Sequence, residues 1–192
     1  TARAKNYFDY AYYDEALTNL NKALRLEPYS LEALELRARV YSALHNFSAA
    51  LDDLDLVIHL EPARAGASAS RGQVYQALGR YDAALADLRR ATYLDPKRAE
   101  PMVSRGQVYQ AQGRYAEALA DYAEAIRLDP TLAQAFYSRG RLHADLSHED
   151  EALADYSEAI RLNPAYAQAL YNRGLLHDKH GRNDAALADF DR

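Results

Sequence analysis

Cysteine is absent from the 192 residues. That excludes disulfides, thiolate chemistry and cysteine-based zinc sites, and it leaves the compartment open between cytosol and periplasm. No apolar run approaches the roughly 20 residues that a membrane-spanning helix needs. No basic-then-apolar secretory leader is present either. Basic residues are outnumbered, and the formal net charge is −5. A general nucleic-acid binder carries a basic face instead, so no nucleic-acid partner is expected. Lysine is scarce: 19 of the 23 basic residues are Arg, which with abundant Ala and Leu points to a GC-rich bacterial origin. What remains is 49% apolar, enough for a core and too much for wholesale disorder.

Proline organises that material. Pro28, Pro62, Pro96, Pro130 and Pro164 stand 34 residues apart, and each follows Leu and then Glu, Asp or Asn. With proline numbered as place 32, the chain divides into units 1–30 (partial), 31–64, 65–98, 99–132, 133–166 and 167–192 (partial). Together they form a single repeat array over residues 1–192, because a fixed period of this size marks a repeat architecture. Place 8 reads Ala38, Gly72, Gly106, Gly140, Gly174, and place 20 is Ala in all six units, from Ala16 to Ala186. Place 11 is aromatic: Tyr7, Tyr41, Tyr75, Tyr109, His143, His177. Place 24 reads Leu20, Leu54, Leu88, Tyr122, Tyr156, Phe190.

Between prolines the apolar residues follow helical spacing, as in Leu85, Leu88, Ala91. Gly79 and Gly113 fall where a first helix should stop. Each proline permits a new helix but not a continuing one, and Pro101 sits in a first turn, where proline is tolerated. Gly inside a helix costs about 1 kcal/mol against Ala. The place-8 glycines therefore need a close helix–helix approach, expected against the Ala at place 20. No strand, linker or low-complexity segment is visible. The expectation is an all-α chain of paired helices of about 12–14 residues each.

Two columns carry charge. Place 7 is Arg37, Arg71, Arg105, Arg139, Arg173, and place 23 is Asp53, Asp87, Asp121, Asp155, Asp189. In an antiparallel hairpin turning near place 15 these lie opposite one another. Ion pairs Arg71–Asp87, Arg105–Asp121 and Arg139–Asp155 are expected, within a hairpin or to its neighbour, with register control as their role.

A catalytic constellation is hard to find. Ser70, Ser104 and Ser138 recur at place 6 as part of the repeat, the acids are spread singly, and no phosphate-binding Gly-rich frame follows a strand. His143 and His177 occupy the aromatic place 11. His177 and His180 have metal-compatible spacing, but two ligands do not make a site. No enzyme activity, cofactor or metal is expected.

The pattern resembles the tetratricopeptide repeat: small residues at places 8, 20 and 27, large ones at 4, 11, 17 and 24, Pro at 32. The resemblance implies a right-handed α-solenoid of stacked antiparallel helix pairs, about five repeats plus partial ends, with a concave groove lined by first helices at places 2, 5, 6, 9, 12 and 13. Such solenoids bind on their concave surface. On those places stand Arg39, Gln73, Gln107 and Arg141 (place 9), Gln76 and Gln110 (place 12), Tyr137 and Tyr171 (place 5) and Asn172 (place 6). The four Gln side chains offer donors and acceptors to an extended peptide backbone. The arginines offer a carboxylate partner, and the tyrosines an apolar platform with a polar tip. The clamp that co-chaperones use for acidic tails is not matched, because place 6 is Leu36, Ser70, Ser104, Ser138 before Asn172. The reading is a protein-interaction scaffold holding an extended partner segment. The alternatives are a self-assembly module, or the recruiting part of an enzyme whose catalytic domain lies elsewhere. The first unit begins at place 5 and the last stops inside its second helix. The chain is therefore expected to be part of something longer, or to form homo-oligomers by stacking its open ends.

Overall fold

A computed structural model describes residues 2–192; Thr1, the first residue of the expected array, lies outside the described residues. The chain forms α1 (Ala2–Asp9), α2 (Tyr13–Leu26), α3 (Leu31–Ala43), α4 (Phe47–Leu60), α5 (Ala65–Ala77) and α6 (Tyr81–Leu94). These are followed by α7 (Glu100–Ala111), α8 (Tyr115–Leu128), α9 (Ala133–Asp145), α10 (Glu149–Leu162), α11 (Ala167–Lys179) and α12 (Asn183–Phe190). No strand occurs among the described residues. The helices pair as hairpins, so the all-α stacked-hairpin class read from the sequence is the class observed. Two compact units result, Thr1–Pro96 and Lys97–Arg192. Within each, a helix packs on the helices before and after it. First helices of successive hairpins also meet, α3 with α5 and α7 with α9.

The turn inside every hairpin has one geometry. Place 15 takes a left-handed backbone at Gly79 (φ 70°), Gly113 (φ 73°) and Gly181 (φ 68°), and equally at Ala11 (φ 59°), His45 (φ 56°) and Ser147 (φ 62°). The amide after it donates to the carbonyl five residues back, as in Arg80 N to Tyr75 O (2.9 Å) and His148 N to His143 O (2.8 Å). The place-15 amide donates three back, as in Gly79 N to Gln76 O (2.9 Å). This paired closure satisfies carbonyls that a helix end leaves open. Glycine marks the turn at two positions expected from sequence, and the hydrogen bonds hold three non-glycine residues to the same path.

The place-8 glycines are explained differently from the sequence expectation. A Cβ on Gly106 would lie 2.6 Å from Tyr122 Cε1, and one on Gly174 2.5 Å from Phe190 Cε1. On Gly72 it would meet Leu88 Cγ at 2.8 Å, with the Ala84 carbonyl further off at 3.2 Å. The nearest neighbour is the place-24 side chain rather than the place-20 alanine at Gly72, Gly106 and Gly174, whereas at Gly140 it is the place-23 Asp155 Cβ (2.9 Å), just ahead of the Tyr156 ring (3.0 Å). The alanine is small because it too sits at the seam, where Ala84 and Ala118 are fully buried.

All five Arg–Asp couples close within their own hairpin, sixteen residues apart. Arg71 Nε and NH2 donate to the two Asp87 oxygens at 2.7 and 2.8 Å, and Arg105 to Asp121 at 2.7 and 2.6 Å. Arg139 reaches Asp155 at 2.8 and 2.7 Å, with Arg37–Asp53 and Arg173–Asp189 alike. The aspartates are buried. Three of the arginines also reach the preceding hairpin: Arg37 to Asn21 Oδ1 (2.8 Å), Arg71 to Asp55 Oδ1 (2.7 Å) and Arg173 to Ser157 Oγ (3.0 Å). Hydrogen bonding to Asp121, opposed by burial, holds the Arg105 guanidinium above its ordinary pKa.

His143 and His177 fill the aromatic place 11, each with a buried Nδ1 that has no hydrogen-bond partner. Burial lowers both pKa values below the ordinary imidazole value, against the pull of Asp155 on His143 and Asp189 on His177. The unfolded chain, with imidazoles near pH 6.5, therefore binds protons first as pH falls. The stability contribution is complete above about pH 6.5 and is lost as pH drops toward the folded values. Between pH 7.5 and 5.5 the melting temperature should fall. A His143→Tyr, His177→Tyr variant, which restores the residue of earlier hairpins, should show a smaller fall in thermal melts at the two pH values.

Candidate functional site

In the first unit, the first-helix stripe closes on a hollow. A pocket of about 340 Å³ is lined by Phe8 of α1, Arg39 and Ser42 of α3, Gln73 of α5, and Phe47 and Leu54 of α4. Places 9 and 12 thus face a common space, Arg39 with Gln73 and Phe8 with Ser42. Arg39 is exposed, and its guanidinium carbon lies 4.6 Å from the centre of the Phe8 ring. It makes no ion pair among the described residues. The Ser42 hydroxyl donates to Ala38 O at 2.8 Å and is committed to its own helix. Gln76 is half-buried one turn beyond Gln73. Phe8 carries no repeat signature; its place-12 position was the only sequence signal for it.

In the second unit the stripe runs over α7, α9 and α11. Gln107 Nε2 donates to Ser138 Oγ at 3.2 Å. Gln110 Nε2 donates to Asp145 Oδ2 at 2.8 Å, and Gln110 Oε1 accepts from the Tyr122 hydroxyl at 3.0 Å. The Gln110 amide is thereby oriented, with one N–H and one lone pair left over. Tyr122 is a core ring whose hydroxyl emerges at this face, a role the Leu-to-Tyr change at place 24 could have signalled. Tyr137 is half-buried, its ring 6.0 Å from that of Tyr156 and 5.0 Å from that of Tyr166. Its hydroxyl accepts from Asn172 Nδ2 at 3.4 Å. Burial pushes the Tyr156 hydroxyl up to about 12, with Tyr137 adding to the shift and Asn172 and Arg141 opposing it. The Arg141 charge acts on the hydroxyls of Tyr122, Tyr156 and Tyr166 alike. Arg141 is itself exposed and, among the described residues, has no ion-pair partner. Tyr171 stands apart from this cluster, 58% exposed, with its ring 5.9 Å from Phe190 beside a hollow of about 400 Å³.

Gln73 and Gln76 belong to the first unit, Gln107 and Gln110 to the second, and each pair is placed by its own unit. Arg71, Arg105 and Arg139 point into their hairpins' clamps. His180 turns to the chain, with Nε2 2.9 Å from Glu149 Oε2 and Nδ1 2.7 Å from Leu176 O. Among the described residues, no three metal-ligating side chains gather, and no helix is long and apolar enough to cross a membrane.

Paired helices on a 34-residue period, each pair closed by the same turn, define a helical-repeat protein. The TPR repeat family pattern matches residues 72–113, 106–147 and 150–181, and the chain belongs to that family. No curated protein matches it. Among solved structures it is similar to TTC0263, a thermophilic TPR protein of Thermus thermophilus, with 25% identity over 97% of this chain and 96% of that one and a TM-score of 0.81. PilW, a type IV pilus biogenesis factor, gives 20% identity over 98% and 88% and a TM-score of 0.83. YrrB, a TPR protein with an unusual peptide-binding site, gives 22% identity over 90% and 89% and a TM-score of 0.60. The TPR fold is typically a non-catalytic protein–protein interaction scaffold, and protein partners follow from it.

Proposed function

We propose that the chain holds an extended partner segment along its first-helix faces. The observation that carries this reading is Arg141, an exposed guanidinium with no carboxylate of its own among the described residues. Its charge acts on the hydroxyls of Tyr122, Tyr156 and Tyr166, and the first of these is bonded to Gln110. A fixed cation among amide and phenol groups suits a peptide main chain with a carboxylate at hand. Gln107, Gln110 and Tyr137 supply the main-chain and ring contacts, and Gln73, Gln76 and Arg39 do the same in the first unit. Tyr171 extends the platform.

The test is cross-linked capture of a partner followed by affinity measurement. Arg141→Gln should weaken binding about tenfold or more, as expected for a lost charge-assisted hydrogen bond, and Gln110→Ala should weaken it as well. Arg127→Gln, which removes only the exposed pair with Glu124, should leave it unchanged. Equal affinity for all three variants sinks the reading. Self-association is a second reading, favoured by the exposed Tyr171 and Phe190 that line the α11–α12 hollow and by the exposed Leu187 of α12. Sedimentation across protein concentration separates the two.

A further inference from the structure

The first-unit pocket differs chemically from the second-unit face. Its floor is apolar and buried, formed by Leu54 and Val74 at 1% and 3% exposure. Phe8 and Phe47 form its walls. At about 340 Å³ it lies at the small end of the range for ligand pockets, about 300–1,000 Å³. That suits one large side chain rather than a whole ligand chain.

Among the described residues, the pocket lining carries one arginine, Arg39, with His45 the other basic side chain. Stacking on the Phe8 ring holds its guanidinium in place while leaving its N–H edge for a planar acceptor. Several acids of the first unit are engaged with other arginines. Glu35 accepts both bonds from Arg64 at 2.8 and 2.9 Å, Asp53 is held by Arg37, and Asp55 and Asp87 by Arg71. An apolar occupant alone would leave Arg39 unanswered, and an acidic one alone would leave the aromatic walls wet. The hollow is lined by side chains of both α3 and α5.

We infer that this pocket is an anchor site for an internal aromatic or large aliphatic residue of a partner peptide, with an adjacent Asp or Glu side chain paired to Arg39. The inference rests on the scaffold reading and adds the chemistry of the segment recognised.

The probes are capped decapeptides of Gly and Ser with a central Phe-Asp, Phe-Asn or Ala-Asp. A fourth lacks Asp and ends in Phe with a free carboxylate. Binding is followed by amide chemical shifts of the whole chain. Phe-Asp should bind with shifts at Val74 and Gln73, and Phe-Asn and Ala-Asp should each bind about tenfold more weakly. In Arg39→Gln, whose melting curve should match the parent because the side chain is exposed, Phe-Asp and Phe-Asn should become equivalent while Phe stays preferred over Ala. Equal affinity for Phe-Asp and Phe-Asn in the parent chain overturns the inference, as does a preference for the free-terminus peptide or the absence of binding. Shifts confined to Tyr137 and Arg141 overturn it while leaving the scaffold reading standing. Loss of partner capture in Arg141→Gln with no effect of Arg39→Gln does the same.

Discussion

Replacing Asp121 with alanine should remove about 2–3 kcal/mol from the stability of the second unit. The Asp121 side chain is 10% exposed and takes both charge-assisted bonds from Arg105, itself 20% exposed. Without the carboxylate, a largely buried guanidinium loses both of these charge-assisted bonds. Stranding one member of a buried pair costs about 3–5 kcal/mol, and the residual exposure of Arg105 lets water return part of that. The contrast is Glu124→Ala, which breaks an Arg127 pair whose side chains are 42% and 67% exposed. That change should leave the urea midpoint unmoved, because water and salt screen an exposed pair. Removing both charges, as Arg105→Met with Asp121→Leu, should recover most of the loss, because an apolar pair escapes desolvation. Urea denaturation curves of the four chains decide the matter. An Asp121→Ala midpoint equal to the parent's would show that the clamps do not set helix register.

Gly106→Ala should destabilise by about 1–2 kcal/mol, although helix propensity alone favours alanine by about 1 kcal/mol. The new Cβ would sit 2.6 Å from the Tyr122 ring. That ring is fully buried and its hydroxyl is tied to Gln110, so it cannot swing aside. Overpacking of this kind costs about 1–3 kcal/mol and must exceed the propensity gain for the sign to hold. The chain contains its own control. The second repeat carries Ala38 at place 8 with Leu54 at place 24, both buried. Gly106→Ala combined with Tyr122→Leu recreates that combination, so the two changes together should cost less than their sum by at least about 1 kcal/mol. If Gly106→Ala raised stability by the full propensity increment, the close approach would not be a constraint.

These two results mark how far the sequence could be read. The period, the helix pairs and the Arg and Asp columns follow from spacing, because a repeated backbone brings equal places into equal relations. The partner of the glycines does not. It depends on where a place-24 side chain points, and the column change from Leu54 to Tyr122, Tyr156 and Phe190 was a signal visible only once linked to place 8. His45 and Ser147 hide the turn that Gly79 and Gly113 announce, since the hydrogen bonds of the closure, not the residue type, fix the backbone there. On the first-helix faces the stripe put forward Arg39, Gln73, Gln110 and Arg141 as candidates. It could not foresee that Gln110 is held between Tyr122 and Asp145, or that Phe8 stacks under Arg39. Those contacts arise between side chains of different repeats, where rotamers rather than period decide.

The arginine clamps carry a mechanical consequence. Each ties residues only sixteen apart in the chain, to its own hairpin or the one before. Among the described residues, these clamps join no remote stretches, so a molecule stretched between its termini would let each hairpin go in turn. Every yielding repeat of 34 residues would release about 110 Å of slack. An optical trap would record a staircase of equal extensions instead of a single rupture.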